Sequence, residues 1–246
     1  MAITRTTPST RVPMDSLRKT ALVAGVFYLI TFVSIPSLAL YGTVKGEGFI
    51  IGSASATGAL WAGVLEVVVA LAGIGAAVTL YPVVRRQNES MALGFVATRT
   101  VEAAMTLAGV ASILSLVALR QAGASGADAT SLTTVGQGLV VFYDKTFLLS
   151  QSLVPPLNAL LLGTLMYRSG LVPRLLPVIG LIGAPLQLTA VFLTMFGVID
   201  RTSGATGILV IPIAVWELSL GVYLVVKGFK PSPITAGMAA AERLTH

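Results

Sequence analysis

The sequence predicts an all-α integral membrane bundle of six spanning helices with both termini cytoplasmic. Three observations carry that prediction. The 246 residues are 55% hydrophobic and only 11% charged, whereas soluble domains carry about 25% charged residues. The mean hydropathy is +0.88. The apolar residues also gather into stretches of about 20 or more, the length that crosses a hydrocarbon core, with short basic or turn-forming segments between them.

Taken in order, residues 1–17 are polar and basic and read as a disordered cytoplasmic tail. The first span is expected at 21–41, closing on Tyr41, an amphipathic ring suited to the membrane interface. A cleavable leader over 1–39, ending at Ser37-Leu38-Ala39, is the rival reading, but the apolar stretch is long for one. The second span, 59–83, stops before Arg85 and Arg86, and the third covers 91–119. Residues 120–136 are rich in Gly, Ser, Thr and Ala and read as a flexible outer loop. The fourth span is expected at 137–166, the fifth at 175–199 and the sixth at 207–226, before a second cytoplasmic tail over 231–246. The third and fourth are long enough to tilt. The spans form one domain, 18–230, without a visible internal repeat.

Basic residues set the orientation. With the N-terminus inside, the cytoplasmic side holds Arg5, Arg11, Arg18, Lys19, Arg85, Arg86, Arg168, Arg174, Lys227, Lys230 and Arg243. The outer side holds Lys45, Arg120 and Arg201, which makes eleven against three. Basic residues beside membrane segments also suit an anionic lipid surface. The formal charge of +6 does not signal a nucleic-acid partner, because no long basic run or aromatic-interleaved patch exists. There is no cysteine, and the single histidine is the last residue, His246. Disulfides, thiol nucleophiles, His-based triads and thiolate or imidazole metal sites are therefore excluded, and no cofactor is expected.

Six ionisable residues break the apolar spans: Glu66, Arg99, Glu102, Asp144, Lys145 and Glu217. A charge near the bilayer centre costs roughly 2.5–3.5 kcal/mol on insertion scales, so each should face a partner, water or the bundle interior. The helical rise of about 1.5 Å per residue places Glu217 about 15 Å from the cytoplasmic anchor Lys227, near the midplane, with Glu102 at similar depth. Arg99 sits one turn from Glu102 on the same face. Glu66 and Asp144 fall in the outer part. Lys145 need not pair with its neighbour Asp144 and can extend its ammonium towards the interface.

In the fourth span, Asp144, Gln151, Pro155 and Asn158 recur at spacings that put polar groups on one face. Pro155-Pro156 removes two backbone donors and should kink or break the helix, leaving carbonyls that other groups or water must satisfy. Broken helices beside polar groups are one way to build a midplane binding site. Pro185 beside Gln187, and Pro212 before Glu217, repeat the association. Ala104, Ala108 and Ser112, and likewise Gly180, Gly183 and Ala184, are spaced for close helix approach.

Several strings resemble a known family: Gly63-Val64-Leu65-Glu66, Tyr81-Pro82-Val83, Arg99 three before Glu102, Asp144 followed by Thr146-Phe147-Leu148-Leu149, Tyr167-Arg168-Ser169-Gly170-Leu171-Val172-Pro173-Arg174, and Trp216-Glu217-Leu218-Ser219-Leu220-Gly221. Over about 18–233 the chain resembles bacterial multi-pass proteins catalogued as domain of unknown function 4386. The resemblance implies an inner-membrane protein and no particular reaction. The family's characteristic acids map onto Glu66, Glu102, Asp144 and Glu217, and its arginine onto Arg99. Members tend to carry His and Trp around the aspartate, where this chain has Tyr143 and Lys145.

The function expected from the residues is binding or transport of a small polar solute or protons through a charged cleft among spans two, three, four and six. Glu66, Arg99, Glu102, Asp144, Asn158 and Glu217 are the binding candidates. Glu102 and Glu217 exchange protons or hold a cationic group, Arg99 holds an anionic group, and Asn158 offers hydrogen bonds. Two alternatives stand beside it. One is an intramembrane enzyme on a lipid or isoprenoid, with Glu102 or Glu217 as base and Arg99 stabilising negative charge. The other is a scaffold whose ion pairs only fix packing.

Overall fold

Long apolar helices dominate the chain because in lipid every backbone polar group must be satisfied within its own segment. The computed structural model describes residues 16–46, 48–123 and 128–236, and every regular element among them is helical. In order these are α1 (Ser16–Ile30), α2 (Ser37–Leu40), α3 (Thr57–Val84), α4 (Glu89–Gly123), α5 (Ala129–Phe147), α6 (Val154–Ser169), α7 (Leu175–Met195) and α8 (Gly204–Val226). A 3₁₀ turn at Thr31–Ser34 extends α1, and a π-helical turn at Leu148–Leu153 joins α5 to α6. Six stretches are long and apolar enough to cross a membrane, with α5, the π turn and α6 acting as one rod over Ala129–Ser169.

Local chemistry sets the helix ends. The Asn88 carboxamide accepts from Met91 N at 2.9 Å at the start of α4. Asp128 and Ser203 accept from the amides of Ser131 and Thr206 to cap α5 and α8. Gly170 ends α6 with φ 67°, a left-handed conformation that favours glycine. The end of α8 is capped from another helix: Arg18 donates to Leu224 O at 2.9 Å and Val225 O at 2.5 Å. A guanidinium at a helix C-terminus meets both the orphan carbonyls and the negative end of the dipole.

The six spans close into a ring. Each packs against its neighbour in sequence, and α1 returns to α8. Small residues permit the tightest approaches, since lipid gives helices no hydrophobic reason to associate. A methyl group at Gly25 falls 2.8 Å from Gly221 O, and one at Gly180 falls 2.7 Å from the Trp216 ring. The outward faces are apolar: Ile208, Ile211, Val215, Leu218 and Val222 of α8 are exposed at alternating spacings of three and four.

Two apolar cores lie at opposite ends of the ring. One joins Ala24, Tyr28, Leu80, Phe95, Leu162 and Trp216. The other is covered by Tyr41, Val44, Phe49 and Ile50, which pack on Ala62, Ile113, Leu116 and Tyr143. The charged groups adjoin both cores: Arg99 lies against Tyr28 and Phe95 of the first, and Glu66 bonds Tyr41 and Tyr143 of the second.

Several sequence expectations change. The first span ends by Val33 rather than 41, because Pro36 turns the chain into α2 and the covering segment. Tyr41 is fully buried rather than interfacial. Most of the expected loop 120–136 is helical, since α4 runs to Gly123 and α5 starts at Ala129. Of the expected tails, 1–15 and 237–246 lie outside the described residues. Residues 231–236 dock on the α6–α7 turn, where Ser232 donates to Ser169 O at 2.5 Å. Ala104 and Ala108 face outward, and Gly109 makes the close approach of α4 instead, to Thr146 and Tyr143.

Candidate functional site

The group around Arg99 assembles from four helices. Arg99 and Glu102 lie one turn apart on α4, and the guanidinium donates through Nη1 to both Glu102 oxygens at 3.1 Å. Its Nη2 reaches Glu217 Oε1 on α8 at 2.5 Å. Asn158 of α6 donates to Glu102 Oε2 at 2.6 Å and accepts from Thr98. From α1, the Tyr28 ring lies 5.5 Å from the Arg99 guanidinium, close enough for a cation–π contact. Arg99 is 4% exposed, so its charge is met almost entirely by protein. One guanidinium against two carboxylates leaves the group with a formal charge of −1 when all are ionised.

Proline shapes the wall beside it. Pro156 offers no N–H to the Ser152 carbonyl one turn earlier. Gln187 of α7 supplies the missing donor, with Nε2 at 2.9 Å from Ser152 O. The fourth span therefore does not break at Pro155-Pro156: it passes through the π turn as a continuous rod. Gln151, within that turn, donates to Thr106 Oγ1 at 3.0 Å.

A cavity of about 430 Å³ reaches this group, lined by residues from all six spans. Arg99, Glu102 and Glu217 form its polar floor with Gln151, Ser152 and Gln187. Phe32, Ile35, Val69, Phe147 and Val210 give it apolar sides, and Arg201, Thr202 and Ser203 of the α7–α8 loop line it as well. Asp200 organises that loop, accepting from both the hydroxyl and the amide of Thr202. These bonds, the hydroxyl's first, hold its carboxyl below the usual aspartate range.

Glu66 and Asp144 do not line this cavity. Glu66 is 4% exposed and accepts from Tyr41 at 3.0 Å and Tyr143 at 2.7 Å. The two rings meet edge to face, with centroids 4.9 Å apart. Asp144 pairs with Lys45 at 2.7 Å and Arg201 at 3.7 Å near the α7–α8 loop. Lys45 also sits over the Tyr143 ring at 4.3 Å, which links these outer groups. Lys145 is exposed.

Of the six candidates, Arg99, Glu102, Asn158 and Glu217 come together, while Glu66 and Asp144 form a separate outer pair of contacts. The cavity also draws on the first and fifth spans, through Thr31, Phe32 and Gln187. Gln187 beside Pro185 was a visible signal. Nothing in the sequence marked Tyr41, Tyr143 or Thr98 as partners. Among the described residues, no group of three or more His, Cys, Asp or Glu side chains is close enough to hold a metal ion.

Six apolar spans with lipid-type outer faces, closed around a charged interior, define a multi-pass membrane protein. A family model described as Domain of unknown function (DUF4386) matches residues 23–228, and the chain belongs to that family. No curated protein and no solved structure matches it.

Proposed function

We propose that this protein binds a small polar solute in the cavity inside the ring and carries the solute, or a proton, through the membrane. The observation behind the proposal is the cavity itself, which ends on Arg99, Glu102 and Glu217 rather than on packed apolar side chains. Its volume lies in the range of small-molecule sites, about 300–1,000 Å³. In this reading Glu102 and Glu217 share the Arg99 guanidinium, and a solute group or proton shifts how that charge is divided. Asn158 holds Glu102 in place, and the α7–α8 loop guards the entrance. The plasma membrane is the expected location, with both termini cytoplasmic.

Protein reconstituted in liposomes tests the proposal by solute- and proton-coupled flux. Glu102→Gln is expected to abolish flux while the protein stays folded; undiminished flux removes Glu102 from the pathway. The scaffold reading predicts instead that no ligand raises the melting temperature of the wild type in detergent. In the enzymatic reading, Glu102 or Glu217 acts as base on a lipid or isoprenoid, with Arg99, which bonds both carboxylates, stabilising negative charge.

A further inference from the structure

The polar atoms left without partners on the cavity floor are mostly of one kind. Gln187 is 1% exposed, and its Oε1 has no hydrogen-bond partner. Its orientation is fixed, because turning the amide would set oxygen against the Ser152 carbonyl. Gln151 is fixed in the same way: the Thr106 hydroxyl proton goes to Glu102 O, so Thr106 Oγ1 must accept from Gln151 Nε2. That leaves Gln151 Oε1 as an acceptor. Glu217 uses Oε1 for Arg99, and its Oε2 has no partner among the described residues. Among the cavity-lining residues described, the buried donor left over is Arg99 Nε, on a guanidinium already engaged by two carboxylates.

We infer that the cavity takes a protonated amine on a small apolar body. The inference rests on the cavity being a binding site, as proposed above. An ammonium group brings up to three donors and one positive charge. It meets the acceptors of Glu217, Gln151 and Gln187 and cancels the formal −1 of the floor. An anion finds one donor on that floor, beside two carboxylates; the other cation of the lining, Arg201, belongs to the α7–α8 loop and is paired with Asp144. A bare metal cation leaves the apolar walls of Phe32, Val69 and Phe147 unused.

The test uses the full chain in detergent with three probes that share an aromatic body and differ in head group: phenethylamine, phenethyl alcohol and hydrocinnamate. Phenethylamine is expected to raise the melting temperature saturably, and the other two to leave it unchanged. Glu217→Gln and Gln151→Leu should each weaken phenethylamine binding about tenfold or more. Glu217→Gln keeps the Arg99–Glu102 pair, and Gln151→Leu leaves every ion pair in place, so folding is checked twice. An equal shift with the alcohol, a larger one with hydrocinnamate, or the full shift from sodium at constant ionic strength overturns the amine and leaves the cavity as a site. Binding untouched by both variants also overturns the amine. No response to phenethylamine overturns the amine, while the binding reading stands or falls with the liposome flux described above.

Discussion

Asn158 satisfies two polar groups with one side chain, donating to Glu102 and accepting from Thr98. Asn158→Leu leaves a buried carboxylate short of a donor, so unfolding in detergent should show a loss of about 1–3 kcal/mol. Arg99 is the more sensitive position. Arg99→Leu leaves Glu102 and Glu217 without a cation inside the ring, and it should destabilise more than Glu102→Leu does. Combining the two changes should recover part of that loss, giving strongly non-additive melting temperatures. A strictly additive pair contradicts the shared guanidinium seen here.

Charged residues were the legible part of this site, because a charge inside an apolar span has few explanations other than a partner or water. Their spacing along each helix followed from the helical rise. Their partners did not, since pairing depends on which helices are neighbours and how each is rotated. Tyr41 shows the difficulty: an aromatic ring at the end of an apolar stretch reads as an interface residue, yet here it bonds Glu66. Ala104 and Ala108 show it again, because small-residue spacing identifies a face without saying which way it points.

Among the elements, the fourth span tests whether Gln187 replaces a missing backbone donor. Gln187→Leu should destabilise by about 1–3 kcal/mol, because the Ser152 carbonyl loses its partner. In a Pro156→Ala background the restored N–H can serve that carbonyl, and the same change should cost clearly less. Equal costs in both backgrounds exclude this role. The α7–α8 loop makes a separate prediction. The Asp200 carboxyl is held down by bonds from Thr202, so its stabilisation is present above the unfolded aspartate value, about pH 3.9. It is lost as pH falls through the lower folded value, and amide exchange across 201–206 should then accelerate. Asp200→Asn should show faster exchange already at neutral pH.

For the whole molecule, ring closure depends on the contact of α1 with α8. Gly25→Leu drives a side chain into Gly221 and Val225 and should destabilise by about 1–3 kcal/mol or more. The orientation expected from the basic residues can be tested because the chain has no cysteine. Single cysteines at Thr202 and Asn88 should be labelled from opposite sides of the membrane, Thr202 from outside. Labelling with reversed sidedness overturns the orientation and leaves the ring intact. The ring order itself was beyond the sequence: hydropathy shows how many helices span, and it is silent on which ones touch.

The closed ring has a consequence for biosynthesis. Helices reach the bilayer in chain order, so α4 arrives long before α8. Arg99 travels with Glu102 one turn away, so the segment enters lipid nearly neutral. Glu217 arrives last, and the cation that receives it is already waiting across the gap. A nascent chain stopped before α8 should therefore insert and then be degraded, because its unfinished side stays open to proteases and quality control.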